Sequence, residues 1–285
     1  MTDVTLLCTV RGCGEALARA SRQLVCPKGH AFDMARSGYA NLLQPQDRRS
    51  RTPGDSKEAV AARRRFLDRG HSQHLVEKIS SYVDRGPVLD VGCGEGHHLE
   101  AFRLGGAAEA HGVDISVAAT DLAARTYRQC HFIVANADRF LPYAAGSFGT
   151  VASITARFNA SEFRRVLRPD GRLVIAVAGP DDLIELREAI LGERILVDRT
   201  EAAIRALEAA FRLEHQESVR TVANLDHQSI EDVMTSSYRA MRTREREKLA
   251  ALGEMEVTLS RDVLVFVPLP SRANRKDAGI RITSS

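Results

Sequence analysis

The sequence lacks the run of about 18 consecutive apolar residues that a membrane-spanning helix requires. Its N-terminus also lacks a basic stretch followed by an apolar segment and a small-residue cleavage site, so no secretory signal is predicted. The five cysteines cannot all pair, and disulfides are rare in the cytoplasm, where a chain without such a signal is expected. These absences argue against a membrane protein and a disulfide-stabilised secreted domain, and they favour metal ligation by the cysteines.

The net charge of the 285-residue chain is only +3, but the charge is uneven along its length. Residues 1–85 contain 15 Lys and Arg against 9 Asp and Glu, whereas residues 86–270 contain 21 against 27. Residues 271–285 carry four basic residues and one acidic residue, and a disordered basic tail is expected there. The basic N-terminal third indicates a polyanionic partner, with chance asymmetry of a solvated surface as the alternative.

Strands and helices are predicted to alternate from Gly86 onward, in a chain of ordinary globular composition. Short apolar runs predict strands at 87–91, 109–115, 131–135, 148–154, 172–178, 216–223 and 256–267. The charged stretch 45–57 is expected to be an exposed loop that leads into a helix capped by Ser56, and 168–171 is expected to be a turn. The fold class is therefore a doubly wound, Rossmann-like α/β sheet of seven strands with a small N-terminal module.

The N-terminal module contains four closely spaced metal-ligand residues. Cys8-x4-Cys13 is followed after twelve residues by Cys26-x3-His30. Two close pairs bridged by a dozen residues suit a tetrahedral structural zinc site, and the metal would supply folding energy that so short a segment lacks. Unrelated buried cysteines are the alternative.

A glycine-rich loop follows the first predicted strand of the α/β region. The run 89–96 reads Leu-Asp-Val-Gly-Cys-Gly-Glu-Gly, which is not the dinucleotide spacing but resembles the first motif of S-adenosylmethionine (SAM)-dependent methyltransferases. Asp114 ends the second strand, where an acid can accept ribose hydroxyls, and Asn136 follows the third. A purely structural glycine turn is the alternative. The expected cofactor-binding residues are Asp90, Gly92, Gly94, Glu95, Gly96, Asp114 and Asn136.

The motifs together resemble one family over residues 5–268, the 23S ribosomal RNA (guanine-N1)-methyltransferases. The resemblance rests on the zinc ligands and on the runs 30–43, 47–56, 61–71 and 90–96. It implies structural zinc, SAM as methyl donor, a hairpin guanine of 23S ribosomal RNA as substrate, and a homodimer. The implied organisation is a zinc-binding RNA-recognition module at 1–45, a basic linker with helices at 46–85, and the methyltransferase domain at 86–270.

The sequence departs from the family pattern at several positions. The first ligand pair has a gap of four residues where the family usually has two. Residues 155–157 read Thr-Ala-Arg where the family has an aromatic-Ala-Pro turn beside the methyl group, and Ser72 and Asp182 replace the usual Tyr and His. The altered turn keeps two alternatives open, namely a small-molecule SAM methyltransferase and a non-catalytic RNA-binding relative.

Basic residues near the linker are the expected RNA contacts, because Lys and Arg neutralise backbone phosphates. Arg157 and Asn159 follow the fourth strand and are candidates for contacting the target base, while no general base is identified. A solvated helix face is the alternative for the arginines at 63–65. The expected RNA-binding residues are Arg48, Arg49, Arg51, Arg63 and Arg64, with Arg65, Arg36, Lys28 and Tyr39 as further candidates.

Overall fold

The computed structural model describes residues 4–48, 50–192, 194–238 and 242–270 of the chain. The predicted tail at 271–285 and Arg49 lie outside these residues. The strands are β1 (Ala18–Ala20), β2 (Gln23–Val25), β3 (Ala31–Asp33), β4 (Ala40–Asn41), β5 (Val88–Val91), β6 (Ala110–Asp114), β7 (His131–Val134), β8 (Phe148–Ile154), β9 (Leu167–Ala178), β10 (Phe211–Leu225) and β11 (Met255–Pro268).

Nine α-helices occur in the described part of the chain. In addition, a 3-10 turn spans Pro45–Asp47, and a π-helical turn spans Arg187–Leu191. The helices are α1 (Lys57–Asp68), α2 (Gln73–Ser80), α3 (His97–Leu104), α4 (Val117–Thr126), α5 (Ala160–Val166), α6 (Ile184–Leu186), α7 (Thr200–Leu207), α8 (His227–Ser237) and α9 (Thr243–Ala251). None of these helices is both long and apolar enough to cross a membrane.

The large sheet has the strand order β10-β11-β9-β8-β5-β6-β7-β4. Strands β5 to β9 pair in parallel, and β11 joins β9 and β10 by antiparallel pairing. Strand β5 lies between β6 and β8, so the connections leave it in opposite directions and open a crevice at the carboxyl ends of the strands. The predicted α/β class is confirmed, and the loops after β5, β6, β7 and β8 meet at one edge.

The sheet has eight described strands where seven were predicted. The added edge strand is β4 from the N-terminal module, in which Ala40 pairs with Ile133 and Asn41 with Val134. A two-residue strand carries no period that a sequence pattern could reveal. Residues 168–171, predicted to be a turn, lie within the bounds of β9 but do not pair with β8, because Leu167 pairs with Phe148 and Arg172 with Thr150. There the pairing shifts register between Phe148 and Thr150 of β8.

The N-terminal module and the large sheet share a hydrophobic core. Cys26, Leu24 and Phe32 of the module belong to the same buried cluster as Ile133 and Tyr143. A buried hydrogen bond inside the module, from Thr9 Oγ1 to the Leu42 carbonyl oxygen at 2.6 Å, fixes the segment that leads out of β4. The module is therefore packed onto the sheet edge rather than tethered to it.

Helix α1 begins at the predicted cap. The Ser56 hydroxyl accepts a hydrogen bond from the Ala59 amide at 3.1 Å, which satisfies one free N–H of the first turn. The helix then packs along α8, where Arg65 makes a bidentate ion pair with Asp232. The segment after residue 56 is thus packed against α8 and is not a free connection.

Candidate active site and metal centre

The four predicted metal ligands converge in the N-terminal module. One donor atom from each of Cys8, Cys13, Cys26 and His30 lies within 4.8 Å of the others. The Sγ atoms of Cys13 and Cys26 are 3.8 Å apart, which is not a disulfide, and His30 Nδ1 is 3.4 Å from the Sγ atoms of both Cys8 and Cys26. Two thiolates on a tetrahedral zinc ion are about 3.8 Å apart, so this set of three sulfurs and one nitrogen fits the metal.

A cavity of about 640 Å³ opens at the carboxyl edge of β5 to β8. Its wall includes six of the seven predicted cofactor residues: Asp90, Gly92, Gly94, Glu95, Asp114 and Asn136. The seventh, Gly96, lies behind the wall. A Cβ atom there would come within 2.9 Å of the Phe132 ring, so Gly96 allows helix α3 to pack against β7.

Gly92 brings two loops of the cavity into contact. Its φ angle is +79°, and a Cβ atom there would lie 2.5 Å from the Cβ of Ala156 in the loop after β8. Only glycine combines this left-handed backbone with such a close approach. The loop after β5 therefore leaves room for a ligand that a side chain would fill.

Two buried acids, Asp90 and Glu95, and the half-buried Asp114 face the cavity. Asp90 Oδ1 and Glu95 Oε2 are buried without a hydrogen-bond partner among the described residues. Asp114 accepts hydrogen bonds from the amides of Gly94 at 2.9 Å and Ser116 at 2.7 Å. Burial raises the pKa of Asp90 to about 8, and the nearby Asp114 and Glu95 add to this shift. Buried acceptors without hydrogen-bond partners fit a ligand that carries hydrogen-bond donors, as SAM does.

Arg63 lies in the cavity wall and not on an open surface. Its guanidinium is 2.6 Å from Asp55 Oδ2 and 3.7 Å from Glu95 Oε2. Burial raises the pKa of Glu95 while Arg63 lowers it. Arg64 is paired with Asp68 at 2.8 Å and lies over the Tyr127 ring. The structure therefore does not offer these two predicted RNA-binding arginines as free phosphate contacts.

The stretch before α1 forms one side of the cavity, although its composition predicted an exposed loop. Ser50, Pro53, Gly54 and Asp55 line the cavity. Gly54 has a φ of +86°, and a Cβ there would be 2.6 Å from the Cβ of Ser116, whose hydroxyl donates to the Asp55 carbonyl oxygen at 2.9 Å. The stretch is largely exposed, as predicted, and this close contact, which charge and proline content do not reveal, also makes it one side of the cavity. Arg48 and Arg51 in the same stretch are exposed.

Two side-chain amides position the neighbouring loops. Asn136 donates to the Asp47 carbonyl oxygen at 3.0 Å, and its own oxygen accepts from the Asp138 amide. Asn159 caps α5 through the Glu162 amide and donates to the Asp138 carbonyl oxygen at 3.0 Å. Both amides are thus used within the protein, and Asn159 is not free for the base contact expected of it.

A second, open cavity of about 920 Å³ adjoins the first. The two cavities share Asp138, Ala156 and Arg157, and the outer cavity also includes Phe158. Arg157 Nη1 lies 3.6 Å from Asp138 Oδ2, and the two side chains are 75% and 43% exposed. No sequence motif marks Asp138, whose only signal is its place two residues after Asn136 at the same sheet edge.

Comparison with known proteins agrees with this architecture. A family model described as "Methyltransferase domain" matches residues 88–171, and a zinc-ribbon model described as "RlmA, N-terminal" matches residues 7–51. Among solved structures, a chain of the Haloferax volcanii complex between the Trm112 methyltransferase activator and a methyltransferase superposes with a TM-score of 0.50. It is 20% identical and covers 76% of this chain and 97% of its own. The fold and site define a SAM-dependent methyltransferase with a structural zinc ribbon.

Two relatives with higher sequence identity than this solved structure show which family the chain belongs to. The 23S rRNA (guanine(748)-N(1))-methyltransferase of Streptomyces fradiae is 34% identical over 271 residues, which cover 90% of this chain and 95% of the relative. YxjB of Bacillus subtilis, named for the same guanine-N1 class, is 30% identical over 266 residues, with coverages of 87% and 92%. The chain belongs to the 23S rRNA (guanine-N1)-methyltransferase family.

Proposed function

We propose that this chain transfers a methyl group from SAM to N1 of a guanine in a hairpin of 23S ribosomal RNA. The observation that carries the proposal is the pair of adjoining cavities that share Asp138 and Arg157. The inner cavity suits the cationic donor, and the outer cavity is open enough to receive a base from RNA. The names of the family members support the choice of substrate.

The inner cavity holds the donor in this proposal. When bound, SAM supplies a methyl group on a positively charged sulfonium. Asp90 offers an oxygen without a hydrogen-bond partner to its amino group, and Asp114 offers its remaining lone pairs to the ribose hydroxyls. Glu95 adds a carboxylate whose charge is partly offset by Arg63. Gly92 and Gly94 let the backbone approach closely. Asn136 holds the Asp47 backbone beside the cavity.

Asp138 and Arg157 match the edge of guanine that carries N1. That edge presents the N1–H and the 2-amino group as donors and O6 as an acceptor. A carboxylate accepts from the two donors and a guanidinium donates to O6, whereas adenine presents the reverse pattern at the corresponding positions. Guanine N1 must lose its proton before it attacks, so Asp138 is positioned to take that proton while Arg157 stabilises the charge on O6.

In this proposal, exposed arginine side chains beside the cavity bind the RNA. Arg48 and Arg51 flank Ser50, which lines the cavity, and we include Arg49 with them. A homodimer, in which two such surfaces lie side by side, remains part of this proposal. Free thiols that converge as metal ligands support a cytoplasmic location. Replacing the three arginines with Ala is expected to weaken RNA binding and to reduce its dependence on salt.

The test is tritium transfer from labelled SAM to a 23S ribosomal RNA transcript. We expect Asp138→Asn to slow transfer by about 10²- to 10⁴-fold, because the N1 proton loses its acceptor. SAM affinity by calorimetry should not change. Asp170→Asn, at an exposed aspartate of β9, is the matched control and should retain the wild-type rate.

Three results would contradict the proposal. Wild-type transfer to free guanine nucleotides but not to RNA would favour a small-molecule enzyme. RNA binding without SAM binding would favour a non-catalytic relative. A wild-type rate in Asp138→Asn would remove Asp138 as the proton acceptor.

A further inference from the structure

A separate cavity of about 600 Å³ lies where the N-terminal module meets the edge of the large sheet. One side comes from the module, with Leu17, Arg19 and Arg36 among its residues, and the other comes from β7 and the end of α4. His131 at the start of β7 lines this cavity, whereas Asn136, five residues further along, lines the cofactor cavity. The two cavities share no lining residue, although Ile133 lines this one and Ala135 lines the cofactor cavity, so they are separate sites near the same end of β7.

The junction cavity is strongly basic. Arg19, Arg36 and Arg128 line it and are exposed, and none of the three has an ion pair or hydrogen bond within the described residues. This contrasts with Arg63, Arg64 and the other arginines whose charges are met by carboxylates inside the protein. Three unpaired guanidinium groups around one concavity repel each other, and an anion would relieve that repulsion.

No carboxylate is among the described residues that line the junction cavity. Glu109 lies beside it, but His111 Nε2–H donates to its carboxylate at 3.1 Å. Asp121 is engaged by the Ser37 hydroxyl at 2.7 Å and by Arg125 at 2.8 Å. Glu109 keeps its negative charge, because a hydrogen bond from a neutral imidazole does not neutralise a carboxylate. One carboxylate beside three guanidinium groups still leaves the site with an excess of positive charge.

A metal ion is a poorer occupant of this place than an anion. Glu109, His111 and His131 bring three possible donor atoms within 4.8 Å of one another. However, the rings of His111 and His131 are stacked at an interplanar angle of 25°, so their nitrogen lone pairs do not converge on one point. Three nearby guanidinium groups also oppose a cation. Anion binding is consistent with both observations.

We propose that the junction cavity binds a backbone phosphate of the RNA substrate, at a nucleotide other than the methylated guanosine. This inference rests on the proposed function for the identity of the partner. Guanidinium groups bind phosphate oxygens through paired hydrogen bonds, and such contacts fix the register of an RNA without reading its sequence. The zinc ribbon acts here by holding Arg19 and Arg36 opposite Arg128 of the methyltransferase domain.

The test measures RNA affinity as a function of salt for Arg19→Gln, Arg36→Gln and Arg128→Gln, singly and combined. Losing the one phosphate contact should lower the slope of log affinity against log salt by about 0.7–0.9 in the triple variant, and each single variant should lower it by less. SAM affinity and zinc content should match those of the wild type. Arg212→Gln, at an exposed residue of β10 on the opposite edge of the sheet, is the matched control and should keep the wild-type slope.

The outcomes separate this inference from the proposed function. A triple variant with the wild-type salt slope overturns the inference, while methyl transfer by the wild type leaves the proposed function intact. Wild-type protein that neither binds nor methylates the RNA overturns both. If millimolar inorganic phosphate raises the melting temperature of the wild type but not of the triple variant, and the RNA slope is unchanged, the cavity binds a free anion and the inference fails.

Discussion

Two glycines with a left-handed backbone differ in what surrounds them. Gly92 has a φ of +79° and faces Ala156 so closely that a Cβ would lie 2.5 Å from the Ala156 Cβ. Gly106 has a φ of +104° with nothing within 4 Å of a Cβ. Replacing each glycine with alanine therefore separates two free-energy costs. The Gly106 substitution measures the left-handed backbone alone, and the Gly92 substitution adds the steric clash at the cavity.

Gly92→Ala is expected to reduce SAM affinity by at least about tenfold, or about 1.4 kcal/mol, because the methyl group pushes the two loops apart. Gly106→Ala should cost only the left-handed conformation, about 1–2 kcal/mol of unfolding free energy, and should leave SAM affinity unchanged. Calorimetry with SAM and thermal unfolding measure the two effects. Equal SAM affinity in both variants would contradict the proposed role of Gly92.

Asp90 makes the folded protein less stable as the pH rises, which is the opposite of the usual effect of a carboxylate. Its pKa is raised from an ordinary value near 4 to about 8 by burial and the neighbouring acids. Between these two pH values the folded protein holds a proton that the unfolded chain releases, so the free energy of unfolding falls as pH rises. Asp90→Asn keeps the shape but cannot ionise. The melting temperature of Asp90→Asn relative to that of the wild type should therefore increase from pH 5 to pH 8. Parallel plots of melting temperature against pH for the two proteins would contradict the raised pKa.

At the scale of elements, an ion pair joins α1 to α8. Arg65 Nη2 lies 2.5 Å from Asp232 Oδ1, and the Asp232 side chain is only 1% exposed. A carboxylate buried to this extent depends on its partner, although half of Arg65 remains in solvent. The pair fixes the helix whose N-terminal side carries Asp55 and Arg63 to the cofactor cavity.

Arg65→Ala should lower the free energy of unfolding by about 1–3 kcal/mol, because it leaves the buried carboxylate without its main partner. Lys57→Ala, at an exposed position of the same helix, should change stability by less than about 0.5 kcal/mol. Chemical denaturation measures both. If the two variants unfold alike, the ion pair does not hold the helix.

The elements differ in how far sequence could predict them. Strands β5 to β8 were found from short apolar runs bounded by turns, and Ser56 was found because a cap has a local signature. Strand β4 was not found, since its two residues are set by pairing with β7 rather than by their own pattern. The same limit applies to the site. The glycine-rich loop has a recognisable spacing of glycines along the sequence. The positions of Asp138 and Arg63 in the cavity wall depend instead on contacts between segments that are distant in sequence.

At the scale of the whole molecule, the zinc module is coupled to the cofactor cavity. Strand β4 pairs with β7, the two parts share a core, and Asn136 donates to the Asp47 carbonyl oxygen just beyond the module. Arg139 also pairs with the buried Asp47. Loss of the metal should therefore affect the loop after β7 and not only the module.

Removing zinc with a chelator, or by Cys26→Ala, is expected to remove hydrogen-exchange protection from residues 4–43 and to weaken SAM binding by about tenfold or more. Cys130→Ala, at a buried cysteine outside the zinc site, is the control and should preserve both properties. Zinc-free protein that binds SAM with wild-type affinity would show that the two parts are independent.

The central claim is that the two joined cavities methylate guanine N1 in 23S ribosomal RNA. The most direct measurement is mass spectrometry of nucleosides from unmodified 23S ribosomal RNA after incubation with the protein and SAM. The account predicts 1-methylguanosine as the new nucleoside, and less of it with Asp138→Asn. A different methylated nucleoside, or unmodified RNA from protein that binds both zinc and SAM, would contradict it.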